Sequence, residues 1–175
     1  MERRARTRRQ GYICVYFNTG PVLSGMTLRQ RIVYLRNTRR CVSWMLAVLT
    51  RTLTRDHHSH VAVSVRKLVL DPCWTGDRIR KVAAYLKSKP TLAYIVPVER
   101  FIELDGPCRK HRKPIVPSLV RLFTRGRVHA PNCVTRVASV LRLCGVPTPD
   151  NIVTPKQLAA FLEAQGGVRV DLVAG

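Results

Sequence analysis

The sequence predicts an α+β fold: a small, mostly antiparallel sheet with flanking helices. Three observations carry this. Runs rich in β-branched and aromatic residues recur at Gly11–Asn18, Val61–Val65, Leu68–Leu70 and Leu92–Val96. Apolar residues at three- and four-residue spacing mark helices between and after them. Two helix starts are announced by their caps, Asn132 before Cys133 and Thr154 before Pro155. At 175 residues and 46% hydrophobic composition, the chain is long enough for one sizeable core, so one domain over 11–175 is expected behind a basic tail at 1–10.

Each element has its own warrant. The segment Tyr12-Ile13-Cys14-Val15-Tyr16-Phe17 has the composition of a strand. Residues 27–54 read as helical, with Leu28, Ile32 and Leu35 followed by Val42, Met45, Leu46 and Leu49 at helical spacing. Val61–Val65 and Leu68–Leu70 read as two short strands joined by a turn at Arg66-Lys67. Asp71 to Asp77, with Pro72 and Gly76, reads as a turn-rich loop, and Arg78–Lys87 as a short amphipathic helix. Leu92–Val96 returns to strand before Pro97. Residues 106–117 are basic and proline-containing, a surface loop, and Ser118–Phe123 a helical turn. From Cys133, Val134, Val137, Ala138 and Leu141 form one apolar stripe that Gly145 ends. The last helix runs from Pro155 through Leu158, Phe161 and Leu162 to Gly166, and Val168–Val173 offers an edge strand.

The net charge of +21 selects polyanionic partners: nucleic acid, anionic lipid surfaces, acidic cell-wall polymer or virion components. The run Arg3-Arg4-Ala5-Arg6-Thr7-Arg8-Arg9 reads as a solvated tail. The apolar run Cys41–Leu49 is too short to span a bilayer and too late to be the core of a signal peptide. Cytoplasmic synthesis without a signal peptide is therefore expected. In that compartment the six irregularly spaced cysteines are thiols or metal ligands, not a disulfide framework.

Two segments carry chemistry. In His57-His58-Ser59-His60-Val61-Ala62-Val63, His60 stands at the head of a strand. In Ala130-Pro131-Asn132-Cys133-Val134, a cysteine opens a helix, where unpaired N–H groups and the helix dipole favour a thiolate. A histidine beside that thiol can take its proton, and a third polar group can fix the imidazole. If the strands following His60 pair as a hairpin, Asp71 lies within reach of His60 and serves as that third group. His57 and His58 are expected to face solvent, and Cys14 and Cys144 to sit on apolar faces as core.

The order of these parts, histidine before cysteine, is the reverse of papain's. The strand Ser59-His60-Val61-Ala62-Val63-Ser64-Val65, the turn Leu70-Asp71-Pro72, the Asn132-Cys133 helix start and the segment Thr154-Pro155-Lys156-Gln157-Leu158 resemble the circularly permuted papain-like cysteine hydrolases. That superfamily includes the NlpC-type cell-wall peptidases and the lecithin:retinol acyltransferase group, and this small basic chain is similar to its phage-encoded members. The resemblance implies Cys133 as nucleophile, His60 as general base, Asp71 as orienting residue and no cofactor, with a virion-associated role as one setting. It departs from the family in its basic loop before Cys133, and between Trp74 and His129 no family motif aligns.

Two other readings compete. Cys108, His111, His129 and Cys133 supply two thiols and two imidazoles at spacings near those of structural zinc knuckles. Alternatively the chain is a catalytically silent, basic virion or nucleic-acid-associated protein. Against a sequence-specific RNA reader stand the 6% aromatic content and the lack of an aromatic RNP-type motif.

Overall fold

The computed structural model describes residues 11–19, 26–55, 57–73, 76–104 and 131–172. The basic tail, the loop 106–117 and the segment Ser118–Phe123 lie outside the described residues. A six-stranded sheet organises the chain: β1 (Gly11–Asn18), β2 (His60–Val65), β3 (Leu68–Cys73), β4 (Gly76–Lys81), β5 (Leu92–Val98) and β6 (Val168–Asp171). Its order is β4-β3-β2-β1-β5-β6, with every neighbouring pair antiparallel. The α+β class is therefore as expected, and the C-terminal segment forms the expected edge strand.

Two-residue alternation decides which side chains face the main core. Ile13, Val15 and Phe17 of β1, Val61, Val63 and Val65 of β2, and Leu92, Tyr94, Val96 and Val98 of β5 share one face. Two helices cover it: α4 (Cys133–Leu143), through Val134, Val137, Val140 and Leu141, and α5 (Pro155–Ala164), through Leu158 and Leu162. Tyr94 on β5 donates from its hydroxyl to Glu163 of α5 at 2.5 Å, fastening that helix to the sheet. The opposite face carries a smaller cluster, Tyr16, Ala62, Val69, Tyr85 and Ala93, with Cys14 packed against it. Cys144 is fully buried in the main core, and Cys14 is half-buried.

The termini of α4 and α5 follow the signals in the sequence. Each starts in a reciprocal capping box, Asn132 with Thr135 and Thr154 with Gln157, and Pro155 occupies the first turn. Just beyond them, Gly145 (φ 90°) and Gly166 (φ 77°) adopt the left-handed conformation that releases the chain from a helix.

One expectation is refined and two are corrected. The helical stretch at 27–54 is two helices, α1 (Leu28–Arg36) and α2 (Thr38–Thr54). Asn37 leaves helical geometry (ψ 108°), and its carbonyl accepts from the Cys41 N–H, so it ends one helix and begins the next. Asp71–Asp77 is not a loop throughout: β3 continues to Cys73 and β4 begins at Gly76. The helix expected over Arg78–Lys87 is only α3 (Val82–Leu86), because Gly76–Lys81 pairs along the whole of β3. Tertiary pairing has overridden local propensity there.

Candidate functional site

The site forms where β2 and β3 part. Their ladder runs over Val65↔Leu68, Ser64↔Val69 and Val63↔Leu70 and ends before Asp71. Beyond it β3 stays paired to β4 through Asp71↔Arg78 and Pro72↔Asp77, while β2 stays paired to β1 as far as Asn18↔His60. Pro72 has no N–H to offer, so it suits a position past the end of a ladder. Across this split the His60 ring reaches Asp71, with Nε2 lying 2.7 Å from Oδ1. That length belongs to a charge-assisted hydrogen bond.

Asp71 is buried and held on both oxygens. The Arg80 guanidinium stands 3.2 Å from Oδ2, leaving Oδ1 for the imidazole. Burial alone raises the carboxyl pKa, but the hydrogen bond from His60 and the charges of His60, Arg80 and Arg78 outweigh it. The net shift is downward, so Asp71 is a carboxylate.

Cys133 completes the constellation. Asn132 places it: Oδ1 accepts the Thr135 N–H at 2.8 Å, and Nδ2 donates to the Val153 carbonyl at 2.9 Å. The first bond caps α4. The second joins that cap to the residue before Thr154, which gives the Thr154-Pro155 segment a physical connection to the cysteine helix. At the first helical position, the thiol stands close enough to the His60 ring and to the N–H groups of Val61 and Val134 for each to favour its thiolate.

These contacts set the charges. For Cys133 burial opposes the thiolate, yet the His60 hydrogen bond and charge and the two backbone donors overcome it and lower the thiol pKa. For His60 burial opposes the cation, but hydrogen bonds to Asp71 and Cys133, and their charges, push it up to about 10. The two shifts point the same way: a thiolate beside an imidazolium is the favoured resting form. Cys73, near the same carboxylate, behaves in the opposite sense. Burial and then the Asp71 charge push its thiol up to about 11.

The three residues singled out in the sequence thus come together in the order Cys133–His60–Asp71. Three of the alternative zinc ligands, Cys108, His111 and His129, lie outside the described residues. Among the described residues no group of three or more His, Cys, Asp and Glu side chains is placed to hold a metal ion. His57 is exposed as expected, but His58 is half-buried, its ring edge-on to Phe17 with centroids 5.5 Å apart.

Sequence reasoning missed Arg80 and the pair Asp77–Arg136. Arg78-Ile79-Arg80 alternates with a strand's period of two, a signal hidden when the segment is read as a helix. Arg136 lies one turn beyond Cys133 and is buried, with Nε 3.5 Å from an Asp77 carboxylate oxygen on β4. A single charged residue inside an apolar helical run was its trace in the sequence. The chain matches no protein-family model, no curated protein and no solved structure.

Proposed function

We propose that the chain is a thiol hydrolase or acyltransferase that works through a Cys133–His60–Asp71 site, in the manner of the circularly permuted papain-like enzymes it resembles. One observation carries the reading: a cysteine at a helix N-terminus beside an imidazole that is itself hydrogen-bonded to a buried carboxylate. The substrate class is an amide or ester carbonyl.

The chemistry follows from the charges. The Cys133 thiolate attacks the carbonyl carbon, a C–S bond forms and the carbonyl electrons move to oxygen. The N–H of Cys133, at the first helical position and without an intrahelical acceptor, is a donor available to that oxyanion. When the tetrahedral intermediate collapses, the bond to the leaving amine or alcohol breaks, and the leaving group takes the proton held by His60. The product is a thioester. His60, now neutral, removes a proton from water or another acceptor as that group attacks, and C–S cleavage returns the thiolate. Asp71 holds the ring in one orientation and favours its cationic form throughout.

The test is reaction with a thiol-directed, carbonyl-activated ester probe. The wild type should form a thioester at Cys133 that turns over, and Cys133→Ala should form none. His60→Ala should lose both acylation and turnover with the fold retained. Turnover that survives in either variant excludes the triad. The second reading, a basic binding protein, is favoured by the charge of +21. It becomes the better one if wild-type Cys133 reacts no faster than an ordinary thiol.

A further inference from the structure

The consecutive helices α1 and α2 are amphipathic in the wrong sense for core elements. On a wheel of about 100° per residue, Val42, Met45 and Leu49 fall within about 60° of one another. All three are exposed, Met45 to 49% and Leu49 to 43%, whereas Ala47, on the far side of the same helix, is buried. In α1, Leu28 (74% exposed) and Ile32 (52%) form a similar stripe, and no residue of that helix is buried. Apolar side chains at helical spacing are thus presented outward on consecutive helices.

The charge around these stripes is of one sign. No Asp or Glu occurs between Arg3 and Arg55, and Arg29, Arg36, Arg51 and Arg55 all belong to the two helices or their ends. A nucleic acid would use the arginines but leave the apolar stripes in water. A second copy would bury the stripes but bring like charges together. An anionic lipid surface satisfies both: its acyl boundary takes the apolar side chains, while arginines on long stems reach its headgroups. Among the described residues no helix is long and apolar enough to cross a membrane, so these helices would lie on its surface.

We propose that α1–α2 docks the protein on anionic lipid bilayers, inserting the stripe Val42, Met45 and Leu49 together with Leu28 and Ile32. This surface is separate from the thiol site, and neither proposal depends on the other.

The test is flotation of the full chain with phosphatidylcholine vesicles, with and without about 30 mol% phosphatidylserine, since surface charge draws basic segments. The comparison protein is the triple variant Val42→Ser, Met45→Ser, Leu49→Ser. Its substitutions are at exposed positions, and an unchanged thermal midpoint confirms its fold. The wild type should float with the anionic vesicles and little with the neutral ones. Partial burial of three apolar side chains makes the expected loss of partitioning in the variant on the order of 100-fold. Equal flotation of the variant would show attraction by charge alone and overturn the proposal. So would a wild type that stays off vesicles but forms a dimer, lost in the variant, by sedimentation. RNA binding weakened as much as flotation by the same substitutions would also overturn it.

Discussion

Asp71→Asn is the most informative single substitution, because it keeps the shape of the site and removes one charge. The carboxylate oxygen lies 2.7 Å from His60 Nε2, where at an effective dielectric of about 20 a unit pair is worth about 6 kcal/mol before solvation is counted. Arg80 at 3.2 Å from the other oxygen cancels part of that field. What remains is the worth of a hydrogen bond to a charged group, about 1.5–3 kcal/mol, or roughly 10- to 100-fold in rate. The direction at each limb of the pH profile follows from the linkage. His60 is raised to about 10 with the help of Asp71, so without the carboxylate its proton is lost at lower pH and the alkaline limb moves down. Cys133 is lowered by the charge on His60, so a less populated imidazolium raises the thiol pKa and moves the acid limb up. The working window should close from both sides. The assay is alkylation of Cys133 against pH, read by peptide mass spectrometry and paired with turnover of an ester probe. At pH 6 the variant should alkylate roughly 10- to 100-fold more slowly than the wild type. An unchanged rate and midpoint would refute the reasoning and leave Asp71 as a structural partner of Arg80.

Four further outcomes follow. Cys133→Ala and His60→Ala should each abolish turnover while circular dichroism shows an intact fold; residual turnover in either removes it from the site. In wild type at neutral pH, Cys133 should alkylate well ahead of Cys73, whose thiol is pushed up to about 11; equal rates would show that the thiolate is not favoured. Arg136→Met removes the ion pair to Asp77 beside α4 and should destabilise the protein in denaturant unfolding by up to about 3–5 kcal/mol, whereas joint replacement of both by apolar residues should restore most of the loss. A loss below about 1 kcal/mol would mean the pair is solvated and does not anchor the helix. Because the Asp71 pKa is lowered on folding, its contribution to stability is present above the ordinary carboxyl range and lost as pH falls through the lowered value. Acid unfolding of Asp71→Asn should therefore be less steep than that of the wild type, and identical slopes would contradict the assignment.

Most of the site was legible because its parts are local. Asn132, Cys133, Thr154 and Pro155 announce themselves through capping, which depends on a few neighbouring residues. His60 and Asp71 flank a hairpin whose Arg66-Lys67 turn is short, so their proximity follows once the strands pair. Arg80 was illegible for the converse reason. It stands opposite Val69, and its reach to Asp71 depends on β4 pairing with β3 rather than coiling into the helix that its local sequence also permits. The Val61 N–H left no trace at all, since a backbone donor becomes available only where a ladder ends. The break at Asn37 was weakly signalled: one polar pair, Asn37-Thr38, inside a long periodic run.

The net charge offers a simpler cause for a reactive cysteine, and the structure allows the two causes to be weighed. A field of +21 acting over the whole molecule would lower the pKa of every thiol. Cys144 and Cys73 move the other way: burial raises both, although arginines stand near each. Screening explains why the total charge does so little, because at physiological salt the Debye length is only about 8 Å. Cys73 in fact feels Arg78 and Arg80 directly and is still raised, by burial and by the same Asp71 that supports His60. What separates Cys133 from it is contact with an imidazolium and two N–H donors, none of which depends on the arginine excess. Cys133 reactivity should therefore be nearly insensitive to added salt, while binding to any polyanion falls steeply with it. The thiolate belongs to the split between β2 and β3, whatever polyanion the total charge attracts.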